Sequence, residues 1–199
     1  MQQSITLWQG QGVFSFLRHN RAAAERLYAA IVSQARSPVP YRILGVPDTL
    51  DGRFDLILLH MFLVLHALKK QGKHPADGGQ ALFGHMVTDM DRSLREVGVG
   101  DLSVGRKIRT MVEAFYGRIA AYEQAVKSLD ADTLLPAALR RNLYGTCPAD
   151  TDLSGPAGAM ARYTLDQVRH LEKQDADTIL SGTAVFLPYE PFLAAEVKR

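Results

Sequence analysis

Residues 104–126 read VGRKIRTMVEAFYGRIAAYEQAV, and this stretch decides the fold class. Its apolar side chains recur every three or four residues over roughly six turns, at Val104, Ile108, Met111, Phe115, Ile119, Tyr122 and Val126. This spacing is typical of one face of an α-helix, whereas a strand would alternate every second residue. The stretch therefore predicts a long amphipathic helix, with Ser103 as its N-cap.

The same period continues on both sides of this stretch. Apolar residues at helical spacing predict further helices at about 20–36, 52–70, 79–97, 132–144 and 156–173, with Asn20 as the first N-cap and a last helical turn near 178–180. The prolines and glycines of 38–47 predict a turn-rich connection, and residues 145–158 predict an exposed linker. Only 184–187 has the character of a strand. We therefore predict one all-α domain over 1–199, a bundle of six to eight helices with an irregular C-terminal tail.

Composition narrows the class of protein. The chain has 199 residues, of which 47% are hydrophobic and 22% charged, with a net charge of +2; these values are typical of a soluble globular protein and predict no DNA partner. The single cysteine, Cys147, favours a reducing compartment and provides no metal framework. The longest apolar stretch, 56–68, is shorter than the roughly 20 residues that span a bilayer, so a helix buried on most sides is expected. The N-terminus shows no signal or transit pattern.

One phrase, Gly-Val-x-Asp-x-x-x-Gly-Arg, occurs twice, at 45–53 and 98–106. Gly45 and Gly98 are expected to end the preceding segments in the left-handed conformation. Asp48 and Asp101 are expected to accept backbone N–H bonds and start the next turn. The second glycine of each copy would permit the close approach of another chain.

The arginines that close the two copies, Arg53 and Arg106, fall near helix N-termini, where the helix dipole does not favour cations. Each is therefore expected to need an acidic neighbour or an external anion. Two interpretations stay open. The arginines either pair internally with Asp48 or Asp101, or they belong to a recognition surface built from the loops.

Longer blocks of sequence carry a family resemblance. Residues 45–56 read GVPDTLDGRFDL and residues 89–105 read DMDRSLREVGVGDLSVG, followed by FYGR at 115–118 and RNLY at 141–144. Together they resemble the ubiquinol–cytochrome c chaperone family, most strongly over 27–144. Ordered blocks of this length are more specific than a short motif.

The resemblance implies an assembly chaperone for the cytochrome bc complex (respiratory complex III), without a cofactor or catalytic residues. Its expected partners are newly made cytochrome b and the ribosome near the polypeptide exit. Because no transit segment is found, the chain resembles an α-proteobacterial member. It is then expected in the cytoplasm, as a peripheral protein at the inner membrane.

A partner surface is predicted around the second junction. Basic residues flank a short loop there, and with Arg53 of the first junction they form the predicted partner-binding set: Arg53, Arg92, Arg95, Val99, Gly100, Arg106 and Lys107. Such a patch suits ribosomal RNA, anionic lipid or acidic client loops, and a solvated helix face is the alternative. Met86, Met90 and Met111 either line a groove for the client or pack in the core.

A helical enzyme is the alternative function. Asp51 and Asp55 have the Asp-x-x-x-Asp spacing that can hold a magnesium-bound prenyl diphosphate or another phosphate substrate, and His85, Asp89 and Asp91 offer a second cluster. Against this, Asp51 suits a helix cap and Asp55 a first-turn acid. His60 and His66 lie six residues apart and point to different faces, and Cys147 has no nearby base. We therefore predict neither a metal site nor an enzyme.

Overall fold

The computed structural model describes residues 21–72 and 75–192. The α-helices of at least five residues in these ranges are α1 Arg21–Ala35, α2 Pro38–Arg42, α3 Leu50–Lys70, α4 Pro75–Glu96, α5 Asp101–Lys127, α6 Ala131–Asn142 and α7 Ser154–Glu172. Short helical turns follow at Ala176–Thr178, Ile179–Thr183 and Glu190–Phe192, and the described ranges contain no strand. The predicted all-α bundle with an irregular C-terminal segment is confirmed. Asn20, the predicted first N-cap, lies outside the described residues.

Helix α3 forms the centre of the bundle. Every residue from 54 to 68 is buried, and α3 packs against α1, α4, α5 and α7. A helix without a continuous polar face must be covered on most sides, so its predicted burial is confirmed. The remaining helices supply the cover, with α6 packed against both α5 and α7.

The helix starts differ from the prediction in three places. Residues 38–42 form the short helix α2, because Pro38 at the first position loses no hydrogen bond and already has a helical φ. Thr49, not Asp51, caps α3, since its hydroxyl accepts the Gly52 N–H at 3.1 Å. Gly100, not Ser103, is the N-cap of α5. The caps predicted at Asp51 and Ser103 are therefore wrong.

The connection before α7 is shorter than the predicted 145–158. Helix α7 begins at Ser154, so residues 154–158 are helical. The ends of the connection are also anchored, because Tyr144 and Leu153 are buried and the Tyr144 hydroxyl donates to Leu44 O at 2.8 Å.

Residues 184–187 are extended but form no strand. Their backbone is paired by two glutamine side-chain amides. Gln174, just after α7, exchanges two hydrogen bonds with Val185 (2.6 and 3.0 Å), and Gln167 of α7 exchanges two with Leu187 (2.9 and 3.2 Å). A glutamine amide offers the same donor and acceptor as a peptide group. The segment therefore satisfies its backbone without a second strand.

Candidate partner-binding site

The corner between α4 and α5 carries most of the predicted partner-binding residues. Gly98 has a φ of 83°, the left-handed conformation expected of it. Val99 N–H donates to Leu94 O at 3.0 Å and Gly98 N–H to Arg95 O at 3.0 Å. This pair of bonds is the Schellman arrangement that ends a helix and turns the chain sharply. The corner is therefore held by backbone geometry, and its side chains are free to face outward.

Two of the predicted cations are neutralised inside the corner. Arg92 pairs with Asp89 and approaches Glu96 at 3.9 Å. Arg95 pairs with Asp91 at 2.7 Å and also with Asp101. Asp101 was expected to accept backbone N–H bonds at the start of α5, but its carboxylate instead holds the end of α4 through Arg95.

Arg106 and Lys107 remain uncompensated. Both are exposed on the first turns of α5, and neither forms an ion pair with any residue of 21–72 or 75–192. Internal pairing of Arg106 with Asp101, one of the two open interpretations, is therefore wrong. The positive charge available to a partner at this corner comes from α5.

Apolar side chains accompany these charges, and two of them, Val97 and Leu102, were not among the predicted partner-binding residues. Leu102 is 97% exposed and Val97 is also exposed. Farther along α5, Ile108, Met111 and Val112 are only half-buried, and up to residue 121 the only buried side chains of the helix are Val104 and Phe115. We call the surface formed by these apolar side chains, Arg106 and Lys107 the α5 face. The sequence signal for this surface was the presence of apolar residues at positions where an amphipathic helix is expected to be polar.

The methionines divide between the two predicted roles. Met86 and Met90 are buried and belong to the hydrophobic core, as the packing interpretation expected. Met111 is half-buried on α5, at the edge of the core. Only Met111 is therefore positioned to contact a partner.

At the first junction, Arg53 lies beside Asp48 and Tyr41. Its Nε is 2.6 Å from Asp48 Oδ1, as the internal-pairing interpretation expected for this copy. The Arg53 guanidinium holds the pKa of Asp48 below its usual range. Gly45 has a φ of 67°, which is left-handed as expected. Asp48 caps no helix, because that role belongs to Thr49.

The two carboxylates considered for magnesium are separated by burial. Asp51 is exposed, whereas Asp55 is buried and lies 2.8 Å from Nη2 of Arg118 on α5. Burial raises the pKa of Asp55 to about 6, although Arg118 acts in the opposite direction. Asp55 is thus a buried link between α3 and α5 and not the first-turn acid expected, so the two residues do not offer a pair of free carboxylates.

The second acidic cluster is also occupied by structural contacts. Asp89 accepts a hydrogen bond from the Tyr28 hydroxyl at 3.0 Å, and His85 stacks on Tyr28 with ring centroids 6.5 Å apart. Asp91 is paired with Arg95. Within the described ranges, no group of three or more His, Cys, Asp or Glu side chains is placed to hold a metal ion.

The two histidines of α3 are both core residues with full sets of partners. His60 donates from Nδ1 to Leu56 O at 2.8 Å, and its Nε2 faces the hydroxyls of Tyr163 and Tyr189 at 2.8 and 3.1 Å. Burial lowers the pKa of His60 to about 4. His66 lies between Glu123 of α5, at 2.6 Å, and Glu172 of α7, at 3.2 Å. Both histidines therefore join helices.

Arg118 was missed as an important residue, although the sequence carried a signal. It lies three residues after Phe115 and four before Tyr122, between two buried aromatic positions of α5. A cation on the apolar face of a helix indicates a buried partner of opposite charge. Arg118 also donates from Nε to Asn142 O at 3.4 Å, which links α5 to α6.

The architecture is that of an all-helical bundle with an exposed apolar and basic corner, and none of its described helices is long and apolar enough to cross a bilayer. The model of the ubiquinol-cytochrome C chaperone family matches residues 42–186. The chain belongs to this family.

Solved and curated relatives agree with this membership. The crystal structure of the Cbp3 homolog from Brucella abortus superposes with a TM-score of 0.75 at 30% identity, covering 87% of this chain and 93% of that one. Ubiquinol-cytochrome-c reductase complex assembly factor 1 of Xenopus laevis is 26% identical over 84% of this chain and 82% of its own length. The human protein of that name is 24% identical, and the chain spans 55% of its length.

Proposed function

We propose that this protein is an assembly chaperone of the cytochrome bc complex that holds newly made cytochrome b. The family and the relatives named as complex III assembly factors support the assembly role. The observation that carries the client-binding part is the α5 face, where exposed apolar residues lie beside two uncompensated cations. The proposal includes peripheral association with the cytoplasmic face of the inner membrane.

The chemistry of the α5 face suits the helices of a membrane protein before they find their final neighbours. Leu102 provides an exposed apolar contact on the first turn of a rigid helix, and Ile108 and Met111 remain half-buried farther along it. Methionine adapts to varied partners because its side chain is unbranched and polarisable. Arg106 and Lys107 add attraction for acidic loops without being committed to an internal partner. A client held in this way can be released, since no buried ion pair has to form or break.

The test is recovery of cytochrome b with a tagged full-length chain. We expect Leu102→Ser with Arg106→Glu and Lys107→Glu to lower recovery about tenfold, equivalent to roughly 1.4 kcal/mol. Arg140→Glu with Arg141→Glu is the matched control, because both arginines are exposed neighbours on α6. Circular dichroism would show that both variants keep their helices.

Equal recovery by the α5-face variant and the wild type would overturn the assignment of this face. Loss of recovery in both variants would mean that client binding depends on the overall charge of the protein and not on the α5 face. Ribosome association near the polypeptide exit, which the family resemblance implies, is measured with the same variants by cosedimentation. Measuring complex III levels in a strain that lacks the gene tests the assembly role itself.

A further inference from the structure

A pocket of about 390 Å³ opens where α1, α2 and the start of α3 meet, and the client-binding proposal does not use it. It lies in the size range of ligand pockets, about 300–1,000 Å³. Its lining comprises Arg36, Pro38, Tyr41, Arg42, Asp48 and Arg53. Three guanidinium groups therefore converge there against one carboxylate: Arg36 from the turn after α1, Arg42 from α2 and Arg53 from α3.

The charges of this pocket do not cancel internally. Asp48 is engaged by Arg53 at 2.6 Å. Arg36 and Arg42 form no ion pair with any residue that the structure describes. A pocket wall with two unmatched guanidinium groups attracts an anion.

One wall of the pocket is fixed before any ligand binds. The Tyr41 hydroxyl donates to Ala35 O at 2.7 Å, which ties α2 to the end of α1. The Arg53 guanidinium lies 5.9 Å from the centre of the Tyr41 ring, within cation–π range. Arg53 is therefore restrained by both a carboxylate and an aromatic ring, which reduces the entropy lost when it binds an anion.

The surroundings of the pocket indicate the source of the anion. Ile43 directly follows Arg42, and Leu50 lies one helical turn before Arg53. These two side chains are 52% and 48% exposed. Apolar side chains beside arginines match the boundary of a bilayer, where acyl chains meet phosphate groups. A free anion in water would gain nothing from these two exposed apolar side chains.

We propose that the pocket binds the phosphate of an anionic phospholipid headgroup, with Ile43 and Leu50 in contact with the acyl region. Guanidinium groups bind phosphate oxygens through paired hydrogen bonds, and several of them can share one phosphate. This inference rests on the membrane association included in the proposed function and names the surface responsible for it.

The test is cosedimentation of the full-length protein with vesicles of phosphatidylcholine, with and without phosphatidylglycerol. We expect binding only when phosphatidylglycerol is present. Arg36→Gln with Arg42→Gln should weaken that binding about thirtyfold, roughly 2 kcal/mol. Ile43→Ser with Leu50→Ser should also weaken it. Arg140→Gln with Arg141→Gln removes the same charge from α6 and should bind within about threefold of the wild type.

The possible failures are distinguishable. If the wild type binds neither vesicle, the proposed membrane association fails and this inference fails with it. If the wild type binds but the Arg36/Arg42 and Arg140/Arg141 variants weaken equally, only the pocket is overturned. If inorganic phosphate raises the melting temperature through Arg36 and Arg42 while vesicles do not bind, the pocket holds a free phosphate and the lipid assignment is wrong.

Discussion

The second glycine of the repeated phrase has a different role in each copy. A Cβ at Gly52 would lie 2.1 Å from Pro47 O, so the loop that carries Asp48 packs directly on the first turn of α3. A Cβ at Gly105 would meet nothing within 4 Å. A close approach by another segment of the same chain therefore exists only in the first copy. Five identical residues among nine did not determine whether another segment would lie against them.

This difference predicts that alanine at the two positions changes the free energy of unfolding in opposite directions. Gly52→Ala should destabilise the protein by about 2 kcal/mol, because backbone atoms must move to admit the methyl group. Gly105→Ala should stabilise it by about 0.5–1 kcal/mol, because alanine favours an exposed helical position over glycine. Urea denaturation measures both free energies of unfolding. A stabilising Gly52→Ala, or a destabilising Gly105→Ala, would contradict the geometry.

At the scale of elements, periodicity predicted the long helices because burial on one face imposes a repeat of three to four residues. The same reasoning could not predict helix α2, since prolines end helices as well as begin them. Nor could it choose between Thr49 and Asp51 as a cap. A local sequence pattern does not predict contacts between distant segments. The position of Arg118 on the apolar face indicates a buried partner, but not that the partner is Asp55.

The C-terminal segment is the element that the sequence described least well. The sequence predicted an irregular tail, yet Tyr189 is buried and stacks on Tyr163 with ring centroids 4.2 Å apart. Gln34 of α1 also donates to Leu187 O at 2.9 Å. Glutamines from two helices thus hold this segment against the bundle, and its tyrosine completes the surroundings of His60.

We predict that this segment contributes to global stability. Tyr189→Ala should lower the free energy of unfolding by about 3–5 kcal/mol, because it leaves a cavity beside Tyr163 and His60. Val185→Ala, in the same segment but 61% exposed, should change it by less than about 0.5 kcal/mol. Thermal and urea unfolding measure both effects. A small effect of Tyr189→Ala would show that the segment is only loosely attached.

At the scale of the whole molecule, two polar networks cross the bundle from α3. In one, Glu123 of α5 faces His66 at 2.6 Å, Lys69 at 3.0 Å and Lys127 at 2.6 Å. Burial alone would raise the pKa of Glu123, but hydrogen bonds from these three partners hold it well below its usual range. The stabilisation that depends on ionised Glu123 is therefore complete above the pKa of the unfolded chain and is lost only in stronger acid.

The Asp55–Arg118 network has the opposite effect on how stability depends on pH. The pKa of Asp55 is about 6 in the folded protein, above the usual value of 3.8. Between these values the folded state binds more protons than the unfolded state, so this carboxyl makes stability fall as the pH rises from about 4 to 6. Because the contribution of Glu123 is complete above 4.5, the usual pKa of that group, Asp55 should dominate the change in stability over the upper part of this window.

We therefore predict that the wild type loses about 2 kcal/mol more stability than Asp55→Asn between pH 4 and pH 7, because the pKa of Asp55 is raised from 3.8 to about 6. Asparagine keeps the shape of the side chain and an oxygen for Arg118, but it has no proton to lose. Urea denaturation across this range measures the difference between the two profiles. Asp51→Asn, which removes an exposed carboxylate of the same helix, is the charge-matched control. Parallel profiles for the wild type and Asp55→Asn would mean that Arg118 offsets burial and that the pKa of Asp55 is not raised in the folded protein.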